Sequence, residues 1–314
     1  MTLAGAAIVP LPMSSPAVRS ATASPPPHAG EPVRVAFVGS RAWLDGCCPT
    51  APTHGLAPAS FETAPSADCE RTRAAVDAFR PDVAVVFDPV SVPVEVLRAL
   101  PGVTLGVLVG GAPQEHAAST LDCLDRLVSF DPALTGTSAG AGELWRAIPP
   151  PVSDLYYREV RPLHRAPRAM TIGRASEHRE AMLISAKHHH DLLQVIHGVS
   201  GEMLGELLDE CQVGVYVAPE PGGGFGQQVG LHLAAGQLLM SEELTPKHGL
   251  ERDIDYLQFD SPDGLVWVLD RLGRFPEMYH RIRVRGRLKA EQYRASRVFA
   301  RLAHDLLADV AAFG

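Results

Sequence analysis

A chain of 314 residues, 46% hydrophobic and 20% charged, has material for two cores of ordinary size, and domains of roughly 100–200 residues make two the expected number. A formal net charge of −8 excludes a nucleic-acid or membrane partner held through bulk charge and leaves only a local basic pocket able to take a phosphate. No apolar run approaches the roughly 18–20 residues of a membrane span, so no transmembrane segment is expected. Five cysteines without C-x-x-C spacing read as reduced thiols of a cytoplasmic protein.

Residues 1–31, rich in Pro, Ala and Ser, read as a disordered N-terminal tail. "VRVAFVG" (33–39) is a continuous apolar run ending in glycine, the pattern of a buried parallel strand delivering the chain to a loop. A helix over 69–81 stops at Pro81, and a second buried strand follows over 82–89. The alternation continues with a helix at 92–102, a strand at 103–111, a helix at 115–126 and a short strand at 127–131. Three consecutive prolines at 149–151 break this rhythm, so a proline-rich linker over 151–167 separates a first domain (32–150) from a second (168–314).

The second half restarts the pattern. Strands are expected at 169–174, 192–198, 213–219, 237–243 and 255–259, with helices at 177–189, 201–211, 227–235, 261–273, 276–291 and 294–311. Helices alternating with all-apolar strands predict an α/β fold of two Rossmann-like, doubly wound parallel sheets, with their strand ends around one cleft.

Two motifs sit at the strand ends of the second half. In "PEPGGGFGQQ" (219–228), Gly222, Gly223, Gly224, Phe225 and Gly226 leave backbone N–H groups bare just where a helix begins, a place that attracts anions. In "IGRASEHR" (172–179), Gly173 ends a strand, and Arg174 and Arg179 follow with His178 between them; paired guanidiniums match the geometry of a diphosphate. The histidines of "KHHHD" (187–191) diverge around a helix and read as a solvated helix end, and Glu242 and Glu243 read as loop charges. Neither glycine stretch has the G-x-G-x-x-G spacing of a dinucleotide site, which disfavours an NAD-dependent oxidoreductase.

With these motifs, residues 168–311 resemble the donor-binding half of GT-B glycosyltransferases, particularly the group-1 and spore-maturation CgeB-like branches. The resemblance rests on Gly173-Arg174 followed five residues later by a basic Arg179, and on "GGFGQQVGLHLAAG" with its small-residue ending before an apolar strand. It implies metal-independent transfer of a sugar from a nucleotide diphosphate donor, with no further cofactor, to an unidentified small-molecule, glycan or protein acceptor, with possible retention of configuration. Arg174 and Arg179 would then be catalytic through the departing diphosphate, and the last helix would cross back to the first domain. The family's two glutamates fall on Gly223 and Leu231, so both carboxylates are absent; Glu220, Gln227, Gln228 and His232 are the neighbouring candidates for donor contacts. Gly39, His54, Gly110, Gly111 and His116, on first-domain loops, are candidates for the acceptor. The missing glutamates favour an alternative, a catalytically inactive GT-B-like nucleotide-binding or structural protein.

Overall fold

The computed structural model describes residues 31–53, 55–63, 69–109, 118–134, 144–163, 165–196, 199–222 and 224–313. All but the last residue of the expected tail, together with His54, Gly110, Gly111, His116 and Gly223, lie outside the described residues. The first half runs β1 (Val33–Gly39), α1 (Arg41–Cys47), β2 (Leu56–Glu62), α2 (Cys69–Phe79), β3 (Val83–Phe87), α3 (Val94–Ala99), β4 (Val103–Leu108), α4 (Ala118–Leu121), β5 (Arg126–Ser129) and β6 (Leu144–Ala147). These strands make one six-stranded sheet in the order β2-β1-β3-β4-β5-β6, every pairing parallel.

The unbroken apolar strands are explained by cover on both faces. Val33, Val35, Phe37, Val83, Val85 and Phe87 point to one side, while Ala36, Val38, Ala84 and Val86 point to the other, against Val76 of α2 and Val96 and Leu97 of α3. Successive residues of a strand alternate faces, so an all-apolar run fills two cores at once.

The second half runs β7 (Ala169–Ile172), α5 (Glu177–His189), β8 (Leu192–Val195), α6 (Gly201–Glu210), β9 (Val213–Tyr216), α7 (Gln227–Ala234), β10 (Leu238–Ser241), β11 (Leu257–Gln258), α8 (Pro262–Arg274), α9 (His280–Lys289) and α10 (Ala295–Phe313). Its five strands are also all parallel, ordered β11-β10-β9-β7-β8. Val213, Val215, Leu238 and Met240 pack under α5 and α8, while Met170 and Leu239 pack on the side of α6 and α7.

The last helix returns to the first sheet. Phe299, Leu302 and Leu306 of α10 are buried with the inward face of β1 and β3, and ion pairs Arg126–Asp309 at 2.7 Å and Arg146–Asp305 at 2.8 Å flank them. Each such buried side chain contributes about 2 kcal/mol. The chain therefore crosses between the sheets twice, and the crossings are tied together: the Val152 N–H donates to the Tyr293 carbonyl and the Ala295 N–H to the Val152 carbonyl, both at 2.8 Å. Asp154 from the first crossing caps α10, accepting from the Ser296 N–H at 3.1 Å and the Ser296 hydroxyl at 2.7 Å.

Two strands and two helices depart from the sequence expectation. β2, "LAPASFE", pairs with β1 at the sheet edge, where an internal proline is tolerated because its missing N–H faces no partner. β6 and α1 are likewise elements that the apolar periodicity does not announce. The helix expected at 115–126 is a single turn, Ala118–Leu121, among the described residues.

Candidate functional site

In each sheet the strand order reverses beside the first strand: β1 lies between β2 and β3, and β7 between β8 and β9. A crevice opens at the carboxyl ends of the strands at such a point. In the first sheet Gly39 ends β1 there, and a Cβ on it would meet the Phe87 Cβ at 3.0 Å. In the second, the crevice lies between Gly173, after β7, and Val217, after β9.

Arg179 closes that second crevice from beneath. Ser176 caps α5, its hydroxyl accepting from the Arg179 N–H at 3.2 Å and donating to the Pro219 carbonyl at 2.6 Å, which docks the β7–α5 loop on the loop after β9. From the first turn of α5 the Arg179 side chain folds back, donating from Nε to the Val217 carbonyl at 2.8 Å and from Nη1 to the Arg174 carbonyl at 2.9 Å. Gly173 makes this possible: its φ is +137°, and a Cβ there would stand 2.1 Å from Arg179 Nη1. Arg179 as a whole residue is 8% exposed, and among the described residues it has no carboxylate within ion-pair distance, Glu242 acting on it only from farther off. Burial lowers its pKa, yet an arginine in a protein keeps its charge. A cation held below the rim of a crevice, with no carboxylate in ion-pair contact among the described residues, leaves positive charge for an anion to meet. Arg174 is exposed on the loop above it.

Beside it, Glu242 emerges from the end of β10. One carboxylate oxygen accepts from the Ala218 N–H at 3.0 Å, and the other lies 2.8 Å from His178 Nε2. His178 is thus fixed next to Arg179 by a residue 64 positions away. In the sequence Glu242 reads as a loop charge, although it follows an apolar strand at a place where a carboxylate can meet substrate, and the structure puts it at the crevice.

The glycine stretch lies next to this pair. Tyr216 of β9 donates from its hydroxyl to the Gly224 carbonyl at 3.1 Å, and a Cβ on Gly226 would meet that hydroxyl at 2.8 Å. A Cβ on Gly224 would meet the Thr245 carbonyl at 2.8 Å, so the bare backbone here also serves close packing. Burial pushes the Tyr216 phenol up, leaving it a neutral donor. Phe225 is buried edge-on to His248, with ring centroids 4.7 Å apart, and anchors the loop. Gly226 is the N-cap of α7 and supplies no side-chain cap. Glu220 is exposed and Gln228 half-buried on this rim.

Gln227, the first residue of α7, reaches across to the first domain and donates to Cys47 Sγ at 3.1 Å. The Ser200 hydroxyl donates to Asp45 at 2.8 Å, and the Ser153 N–H to the Gly46 carbonyl at 2.9 Å. Both helix starts, α6 and α7, therefore meet α1, and the carboxyl ends of the two sheets face one another here.

His232 does not belong to this rim. It is 0% exposed, its Nδ1 lies 2.6 Å from the Gln237 Oε1, and it presses on Gly214 of β9, so it fills the layer between α7 and the sheet. Burial lowers its pKa to about 4. Leu231 is also buried, at 5% exposure. His188 and His189 are exposed at the end of α5.

No protein-family model matches the chain, and no curated protein does. Solved structures do. An α-glucosyltransferase in complex with UDP and a 13-mer DNA is 11% identical, covering 88% of this chain and 100% of its own, with a TM-score of 0.58. Sucrose-phosphate synthase from Thermosynechococcus elongatus is 11% identical, covering 90% and 100%, with a TM-score of 0.56. The fold is GT-B. A UDP-GlcNAc 2-epimerase from Neisseria meningitidis, bound to UDP-GlcNAc, is 8% identical over 88% of this chain and 100% of its own, with a TM-score of 0.51. At such identities the likeness is one of fold, and a GT-B fold hosts more than one reaction. Among the described residues no helix is long and apolar enough to cross a membrane.

Proposed function

We propose that the chain binds a nucleotide diphosphate sugar in the cleft of its second domain and transfers the sugar to an acceptor held against the first. The observation that carries this reading is Arg179, a buried cation with no carboxylate in ion-pair contact among the described residues, at the strand-order reversal and beside a helix start with no side-chain cap. A diphosphate there completes the charge balance. Two of the structures of similar fold hold UDP or a UDP-sugar, which is consistent with the same ligand class here.

In this reading Arg179 fixes the electrostatic floor and the loop geometry, while the exposed Arg174 closes over the diphosphate from above. Cleavage of the anomeric C–O bond leaves negative charge on the diphosphate, and these guanidiniums with the N–H groups of Gly226 and the first turn of α7 stabilise it, so neutralisation needs no divalent metal. The contacts of α1 with Gln227 and Ser200 close the cleft and exclude the water that would hydrolyse the donor. Retention of configuration and a place in the CgeB-like branch follow if the family resemblance holds. The acceptor is a small molecule, glycan or protein, met on the Gly39 side of the cleft, in the cytoplasm.

A second reading, binding without turnover, is favoured by one observation. Leu231, which stands where group-1 relatives place a carboxylate, is buried and offers no acceptor. A panel of labelled nucleotide sugars separates the readings. Transfer to an acceptor or slow donor hydrolysis supports an enzyme, saturable binding without either supports the inactive relative, and no binding of any nucleotide diphosphate refutes both.

A further inference from the structure

The base of the second domain carries a cationic, apolar face that the cleft does not use. In α8, Leu265, Leu269 and Leu272 are buried against the sheet, which turns Trp267, Arg271 and Arg274 outward along one stripe at helical spacing. Past the helix end, Phe275 closes α8, a tight turn buries Pro276 and Tyr279, and Met278 and Arg281 are exposed. Trp267 is 58% exposed, Phe275 48% and Met278 57%. Large apolar side chains grouped in this way mark an interaction surface.

The charge at this place runs against that of the whole chain. Residues 262–289 hold seven Arg and Lys against three Asp and Glu, a net +4 in a chain of −8. Four of the seven are engaged: Arg283 with the Gly236 and Arg161 carbonyls, Arg285 with Asp255, Arg287 with Glu291 and Lys289 with the Gly249 carbonyl. Arg271, Arg274 and Arg281 have no carboxylate within ion-pair distance among the described residues; Arg271 lies over the Trp267 ring, 5.1 Å from its centroid. Of the three acids in the same stretch, Asp270 lies 3.5 Å from His190 Nε2, Glu277 is exposed beside Met278, and Asp263 is exposed in the first turn of α8.

The linker extends the patch. A Cβ on Gly273 would stand 3.1 Å from the Arg165 carbonyl, which places the end of α8 beside Arg165, an exposed residue. This segment precedes β7, so the patch sits at the amino ends of the strands, the opposite end of the sheet from Gly173 and the cleft.

We propose that this face docks on an anionic lipid bilayer. Trp267, Phe275 and Met278 enter the boundary between headgroups and acyl chains, and Arg165, Arg271, Arg274 and Arg281 meet the lipid phosphates, as guanidiniums and aromatic rings do at membrane interfaces. A twofold contact with a second copy sets four arginines against four arginines and is disfavoured by charge. A nucleic acid would use the cations but gain nothing from burying Met278. The proposal is independent of what the cleft binds, and docking leaves the cleft facing away from the lipid.

Co-sedimentation of the full chain with vesicles tests it. Phosphatidylcholine vesicles containing about one-third phosphatidylglycerol bind the protein at least about tenfold more tightly than phosphatidylcholine alone, and salt of about 0.5 M releases it. The paired charge reversals R274E and R281E weaken binding by about tenfold or more, W267S with F275S does so in a separate chain, and both retain the thermal midpoint of the parent. Brominated acyl chains quench the fluorescence of Trp267, since the other two tryptophans, Trp43 and Trp145, are partly buried in the first domain. Equal binding by the charge-reversed chain overturns the proposal. So does binding of duplex DNA as tight as that of the anionic vesicles, or a dimer in light scattering that W267S dissociates.

Discussion

Replacing Gly173 with alanine perturbs the site at its narrowest point. The residue has a φ of +137°, where an L side chain is strained by about 1–3 kcal/mol. The new methyl would also stand 2.1 Å from Arg179 Nη1 and 2.8 Å from Cζ, so the guanidinium must leave. Its bond to the Arg174 carbonyl goes at once, and the bond to the Val217 carbonyl cannot keep its 2.8 Å geometry. A charge-assisted hydrogen bond to a buried carbonyl is worth about 1.5–3 kcal/mol, so the strain and the loss of one such bond together cost about 2.5–6 kcal/mol. Urea unfolding followed by circular dichroism reads this as a fall in midpoint at unchanged slope, with a parallel loss of nucleotide diphosphate affinity. A stability change below about 1 kcal/mol with unaltered affinity refutes the claim that Gly173 exists to admit Arg179.

The buried His232 predicts a pH dependence. Its folded pKa of about 4 lies below the unfolded 6.5, so its contribution is whole above 6.5 and is lost as the pH falls toward 4, where the unfolded chain takes a proton that the folded one refuses. Between about pH 7.5 and 5 the loss is about 2 kcal/mol, and the His232→Leu chain shows a correspondingly shallower decline in urea unfolding. Asp154→Ala uncaps α10 at the crossing between sheets and lowers stability by about 1–2 kcal/mol in thermal unfolding; no change means that the Ser296 contacts are incidental. Glu242→Ala frees both His178 and the Ala218 N–H, and calorimetry of donor binding then shows a loss of about tenfold, whereas Glu242→Gln, which still accepts from Ala218, loses less.

The doubly wound architecture was legible because parallel strands covered on both faces must be apolar at every position, as Val83–Phe87 and Val213–Tyr216 are. β2 was not, since Pro58 and Ser60 interrupt it and an edge strand needs cover on fewer sides. The sequence also places Arg174, Arg179 and the glycines at adjacent strand ends, because strand order in such folds confines loops to one rim. It could not show that Arg179 turns inward to two carbonyls, or that Glu242 holds His178 from 64 residues away, since those are consequences of which strands become neighbours. His232 was misjudged for a related reason. Every residue of α7 from Val229 to Ala234 is buried, so its histidine is enclosed whichever face it takes, and that full cover is not visible in the helical spacing.

Calorimetric titration with UDP, and with the other nucleoside diphosphates if it fails, bears most directly on the central claim that the Arg179 cation beside a bare helix start awaits a diphosphate. The account predicts saturable binding to the parent chain, a drop of at least about tenfold on Arg174→Ala, which alters only an exposed side chain, and none detectable on Arg174→Ala with Arg179→Ala. A parent chain that binds no nucleoside diphosphate, or a correctly folded double variant that binds as well as the parent, contradicts it.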